Sequence, residues 1–300
     1  MKCLICNSNN QKKILARCID LEYKMSGRYD FYKCLNCGLI HMNPVPTIPE
    51  LLSFYPANYH GYLKSFSKLT NFLVDLNIRA RANLYKNLIG KNGRILDVGS
   101  AEGSHFFLLN KYGEWDFWGI EFNDEIADKG RKMGFKIITD TLENHDFGGI
   151  KFDLIIMNNL IEHVVNPVET LSKAKEILKP RGWIVGETPN TRSWDFYFFG
   201  RYWGGLHTPR HTFLFNQYNL RLLSGKMGLF SKFNQKIDTN HWAGSIQNFC
   251  QSKKFLKTKL KNGRAWYYSF LLLFFIPLNF FQKILGFSGV IRFKMHKETI

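Results

Sequence analysis

Acidic residues are scarce in this 300-residue chain: 24 Asp and Glu stand against 41 Lys and Arg, a formal charge of +17. That deficit points to an anionic partner, whether nucleic acid, a membrane surface or a phosphorylated substrate. Cysteine is also sparse. Six residues are too few for a disulfide scaffold at this length, and four of them fall in two Cys-x2-Cys pairs, the spacing of a metal site. The first residues lack the basic-then-apolar pattern of a signal peptide, so secretion is not expected. Internal repeats are absent. With 45% hydrophobic and 22% charged residues, a wholly disordered or fibrous chain is excluded. The length fits one large or two modest domains.

What is present divides along the chain. Residues 1–45 hold the cysteine pairs, and 46–90 hold a Pro-stiffened linker and an amphipathic helix over 66–89. From 91 to 240 strands and helices alternate. Strands are expected at 94–98, 117–121, 136–138, 152–157 and 183–187, with helices at 104–112, 124–133, 167–178 and 216–227. That alternation predicts an α/β fold, a parallel sheet with helices on both faces. Two further strands are expected at 230–237 and 290–295, the second placing 288–300 back in the sheet. Between them, 241–287 is a basic and apolar stretch. Within it, 265–282 carries no charge and is expected to form an interfacial or re-entrant helix, because a full span would detach the last strand from its sheet.

The run Asp97-Val98-Gly99-Ser100-Ala101-Glu102-Gly103 delivers a glycine turn from a strand to a helix, where free backbone N–H groups and close approach suit a nucleotide cofactor. Glu121 ends the next strand 22 residues after Gly99, the spacing of a carboxylate that accepts ribose hydroxyls. Ala101 stands where a dinucleotide fold needs its second glycine, and the turn lacks the lysine of a phosphate-binding loop. Asp97 suits a cofactor bearing an amino acid better than a pyrophosphate.

These residues resemble the D-x-G-x-G-x-G motif of class I S-adenosylmethionine (SAM)-dependent methyltransferases. Gly119-Ile120-Glu121, Phe152-Asp153-Leu154-Ile155-Ile156, Leu160-Ile161-Glu162-His163-Val164 and Leu178-Lys179-Pro180-Arg181-Gly182 agree in order and spacing. The resemblance covers about 90–240 and implies a Rossmann-like methyltransferase sheet. It also implies that Gly99, Ala101 and Gly103 line the methionine end of SAM with Asp97 near its amino group. Glu121 would hold the ribose, Thr141, Leu142 and Glu143 the adenine, and Asn158 and Asn159 would stand beside the transferring methyl.

Cys3, Cys6, Cys34 and Cys37 supply the four thiolates of a tetrahedral structural zinc site. Cys18 and His41 are expected to be packing residues. A zinc knuckle ahead of such a core resembles methyltransferases of sugar and polysaccharide pathways. Candidate bases are His207 and His211, in the aromatic segment after the fifth strand, and then His163. Glu162-His163 resembles the Glu-His pair of ubiquinone-type O-methyltransferases, but Asn159 stands where an upstream acid would complete a metal site. The expected acceptor is a sugar, glycan or lipid-linked molecule at the cytoplasmic face of an anionic membrane, with a homodimer contact or a lid as other uses of the apolar stretch. A prenylated-quinone O-methyltransferase is the alternative enzyme. A zinc-containing nucleic-acid binder is the alternative outside catalysis, disfavoured because the basic run lies beside the apolar stretch and not in the cysteine module.

Overall fold

In the computed structural model the described residues are 2–55, 68–253, 255, 260–261 and 263–297. The start of the expected 66–89 helix and part of the basic run lie outside them.

Seven strands form the central sheet: β4 (Asn92–Val98), β5 (Glu114–Glu121), β6 (Lys136–Thr139), β7 (Phe152–Asn158), β8 (Leu178–Pro189), β10 (Leu229–Lys236) and β11 (Val290–Lys297). Their spatial order is β10-β11-β8-β7-β4-β5-β6. The first five run parallel, and β11 pairs antiparallel with both β8 and β10. The order reverses at β4, which opens a crevice beyond the carboxyl ends of β4 and β7.

Alternation along the strands produces two apolar faces. Ile95, Leu154 and Ile156 pack with Ile78, Ala82 and Tyr85 of α2 (Lys68–Ile89) and with Phe106 and Leu109 of α3 (Ser104–Leu109). Leu96, Ile155 and Met157 pack on the other face with α5 (Pro167–Ile177) and α7 (Gln217–Lys226). A period of two in each strand carries successive side chains to opposite faces, so both must be apolar in a strand covered twice. Local signals set the helix starts. Asn123 caps α4 (Asp124–Lys132) by accepting from the Ile126 N–H, and Asn166 caps α5, whose first residue is Pro167, a position where the missing N–H costs nothing.

The cysteine region is a second, antiparallel sheet of β1 (Gln11–Cys18), β2 (Tyr29–Cys34) and β3 (Ile40–Asn43). Its fourth strand comes from the core segment after β8: β9 (Phe213–Leu214) pairs with β3 through Ile40↔Leu214 and His41↔Phe213. Cys3, Ile5, Cys34 and Leu39 also share a core with Leu220 and Leu223 of α7. The boundary at residue 45 therefore divides the chain without dividing the packing.

Between β10 and β11 lie α8 (Asn240–Lys253), α9 (Tyr268–Phe274) and α10 (Ile276–Ile284). The apolar run expected as one helix over 265–282 is two short ones, broken where Phe275 ends α9 and Pro277 stands in the first turn of α10. Pro277 has no N–H to continue the earlier helix. Among the described residues no helix is long and apolar enough to cross a membrane.

Candidate functional site

A cavity of about 550 Å³ opens at the carboxyl ends of β4, β5, β7 and β8. One half is built by sheet ends and their turns. Gly99 takes a left-handed backbone, φ 72, as does Gly103, φ 69, where the chain turns into α3. A Cβ at Gly103 would meet the Phe106 ring at 2.9 Å, so the turn tolerates no side chain there. Ala101 adopts φ 48 without being glycine, a backbone strain carried at the cavity wall.

Glu121 is buried, with one carboxylate oxygen accepting from the Ala101 N–H at 3.0 Å and the other from the Asn123 N–H at 3.1 Å. Burial outweighs those hydrogen bonds and raises its pKa, as desolvation disfavours the charged form. Gly99, Ala101, Glu121, Thr141, Leu142 and Asn158 all line the cavity, and the Thr141 hydroxyl is buried without a partner.

Asp97 and Gly103 stand behind the wall. The Asp97 carboxylate meets Nε2 of His105 at 2.6 Å. His105 sits in the first turn of α3, a partner that no local sequence pattern announced. Neither residue is among those lining the cavity, where the resemblance implied Gly103 at the methionine end of SAM and Asp97 near its amino group; Gly103 shapes the turn into α3.

The other half is made of long-range neighbours. In the segment after β8, Arg210 is fully buried and grips Asp20 of the β1–β2 loop with both terminal nitrogens, at 3.0 and 3.2 Å. Its Nε donates to Nε2 of His207 at 3.2 Å. A guanidinium cannot accept, so the His207 lone pair is on Nε2 and its proton is on Nδ1, 2.8 Å from the Glu22 carboxylate. His207 thus has its lone pair committed to Arg210. His211 differs. Its Nδ1 faces the Gly205 carbonyl at 2.8 Å, and a carbonyl only accepts, so Nδ1 carries the proton and Nε2 the lone pair. Burial, helped by the neighbouring His163 and His207, pushes its pKa well below the usual histidine value, so the ring is neutral at physiological pH. The two rings lie 5.0 Å apart, and His163 lies 4.4 Å from His211.

His163, in the turn after β7, contacts the Tyr55 hydroxyl and the Arg210 carbonyl through Nδ1, at 2.8 and 3.1 Å. Glu162 beside it is fully buried. The Thr188 hydroxyl donates to one of its oxygens at 2.8 Å, and the other oxygen has no partner. Burial lifts its pKa to about 8. A Glu162 oxygen and one nitrogen each of His163 and His211 gather within 4.8 Å. His211 supplies the third group where sequence spacing offered Asn159. Glu22, Asn240, Arg264 and Tyr268 complete this half of the cavity. None was expected at the site from the sequence, because each reaches it from a distant segment.

Outside the cavity lining, the Cys3 and Cys37 sulfurs lie 3.5 Å apart, as do those of Cys6 and Cys34, and all four fall within 4.8 Å. Four thiolates at ~2.3 Å from one ion would sit about 3.8 Å apart, so the cluster fits a tetrahedral ion. Cys18 is buried elsewhere, and His41 hydrogen-bonds Gln11 at 2.6 Å. Both behave as packing residues.

Strand order, cavity position and turn chemistry agree with a sequence profile, that of a methyltransferase domain, which matches residues 71–229. The chain belongs to this family of SAM-dependent methyltransferases. Among its relatives, the methyltransferase is 27% identical over 206 residues to the ubiquinone biosynthesis O-methyltransferase of Actinobacillus pleuropneumoniae, covering 65% of this chain and 80% of that protein. A shorter match, 31% over 67 residues, links it to the uncharacterized MJ1123 of Methanocaldococcus jannaschii and spans 22% of this chain and 33% of that protein. A solved structure from Galdieria sulphuraria, provisionally assigned as a sarcosine dimethylglycine methyltransferase, superposes with a TM-score of 0.52 at 12% identity. It covers 77% of this chain and 88% of that one, a likeness of fold.

Proposed function

We propose that this methyltransferase carries a methyl group from SAM to a sugar, glycan or lipid-linked acceptor presented at the inner face of the cell membrane. The observation that carries the reading is the division of the cavity: a glycine turn with a buried acid in one half, and a hydrogen-bonding chamber with an imidazole lone pair in the other. SAM supplies an activated methyl on a sulfonium. Glu121 would accept the ribose hydroxyls on the lone pairs its backbone donors leave open. Gly99 and Ala101 would flank the methionine portion, Thr141 and Leu142 the adenine, and Asn158 the transfer point. Glu22, Asn240 and Arg264 supply polar groups suited to a hydroxyl-rich or anionic acceptor.

His211 is the proposed base. Its Nδ1 is held by a carbonyl, so Nε2 can take the acceptor's proton, worth about 10²–10⁴ in rate. His207 orients Glu22 and Arg210 in place of acting as base. The four cysteines would hold a structural zinc, which leaves no open coordination position for chemistry. The relatives' ubiquinone names favour one other reading, O-methylation of a prenylated quinone.

Titration calorimetry tests the cofactor assignment. Glu121→Ala should weaken SAM binding by about 1.5–3 kcal/mol, and unchanged affinity would refute it. Elemental analysis should find one zinc per chain, lost in Cys34→Ser. Turnover of a nucleotide- or lipid-linked sugar against a demethylated quinone then separates the two acceptor classes.

A further inference from the structure

Helix α10 is turned inside out. Its buried residues are Asn279 and Gln282, both at 0% exposure, whereas Phe280, Phe281 and Ile284 are 52%, 59% and 64% exposed. Polar contacts fix this orientation. Gln282 accepts from the Trp242 indole at 2.8 Å and donates to Asp195 and to the Phe287 carbonyl. Asn279 donates to the Phe275 carbonyl at 2.9 Å. A helix facing water arranges itself the other way, so the outer face of α10 is matched to an apolar medium.

The neighbouring elements extend that face. Phe270, Leu273 and Phe274 of α9 are exposed, as are Tyr197 and Phe198 of α6 (Trp194–Phe199). Trp242 joins the two, with its ring 6.1 Å from Phe198 and 5.1 Å from Phe275. The charge around the face has one sign. Residues 239–297 contain ten Lys and Arg and no Asp or Glu. Of these, Lys253, Lys261, Arg264 and Lys283 are exposed.

We infer that α6, α9 and α10 form a docking face for an anionic lipid surface, lying in the interface and not crossing it. Apolar helices with flanking cations and no exposed acid, the one acid of α6 being the buried Asp195, match the acyl boundary and the headgroups together. A second copy of the chain fits worse, because a two-fold contact sets the same cations against each other. The face also orients the cavity. Tyr268 and Arg264 line it, with the guanidinium 5.1 Å from the Tyr268 ring centroid, while Phe270 and Leu273 of the same helix point outward. Docking therefore sets the acceptor chamber at the headgroup level, where a phosphate-bearing lipid-linked acceptor would meet Arg264. The inference deepens the proposed acceptor class and rests on it only for the identity of that lipid.

Vesicle flotation of the full chain tests the docking face directly. With equimolar phosphatidylcholine and phosphatidylglycerol the protein should float, with phosphatidylcholine alone it should not, and added salt should release it. Phe280→Ser/Phe281→Ser/Ile284→Ser should reduce flotation about tenfold while keeping SAM binding by calorimetry. Wild-type protein left at the bottom of the gradient with anionic vesicles would overturn the inference. So would equal flotation of the triple variant, or salt-independent flotation. A wild-type dimer that the triple variant turns into a monomer, with no flotation, would assign the face to a second copy and refute it. Loss of SAM binding by the wild type would instead remove the methyltransferase reading, so the two failures are separable.

Discussion

The two halves of the cavity are built on different principles. The half proposed for the cofactor is nearly contiguous: Gly99, Ala101, Glu121, Thr141 and Leu142 come from adjacent strand ends and their turns, held by hydrogen bonds such as that from the Ala101 N–H to the Glu121 carboxylate. The acceptor half joins five distant places, with Glu22, His163, His211, Asn240 and Tyr268 on its wall. Beneath it a buried ion pair joins Arg210 and Asp20, 190 positions apart, and Arg210 reaches the wall through His207. The contrast teaches where the enzyme can vary. A turn fixed by its own sheet keeps one cofactor. A chamber made of loops and added elements can change acceptor without disturbing that turn.

Removing the proposed base should have the largest effect. His211→Ala should lower turnover by about 10²–10⁴ and leave SAM affinity within a factor of about two by calorimetry. Equal losses of both would erase the distinction between the halves. Arg210→Ala should come next. It leaves Asp20 buried without its partner, which costs about 3–5 kcal/mol. Denaturant unfolding would measure that loss, and a midpoint matching wild type would show that the ion pair does not hold the halves together.

Glu162 gives the contrast a pH dependence. Its pKa in the fold, about 8, lies above the ordinary 4.5. Below pH 4.5 both folded and unfolded chains hold the proton, and its contribution to stability is fully present. As pH rises toward 8 the unfolded chain releases the proton while the folded one keeps it, so stability falls by up to about 1.4 kcal/mol per pH unit. Glu162→Gln should flatten this part of the stability profile, measured as melting temperature against pH. A parallel profile in the variant would assign the slope elsewhere. The smallest effect belongs to the cofactor turn. Ala101→Gly relieves about 1–2 kcal/mol of left-handed strain but frees the unfolded chain by about 0.4–1 kcal/mol. A net gain near 0.5 kcal/mol is expected in the unfolding midpoint, and a loss would mean that the Ala101 methyl packs usefully in its strained turn.

All seven central strands were legible in the sequence because apolar periodicity is a local signal. Those of the cysteine sheet were less so. The Tyr29–Cys34 strand alternates visibly, but β9 has two residues and exists only because β3 is there to pair with it. Asp97 shows the same limit inside a motif: its position was readable, its pairing with His105 was not.

The sequence by itself determined the sheet, the glycine turn, the acid at the end of β5 and the four cysteines, because each depends on spacing within a few residues or on one repeated structural unit. The tertiary structure alone decided which histidine keeps its lone pair for the cavity. That choice turns on whether an imidazole nitrogen meets an arginine donor or a backbone carbonyl, and both partners of His207 and His211 are set by packing. It also decided that α10 would hide its amides and show its phenylalanines, since helical spacing names two faces but not which of them meets the protein.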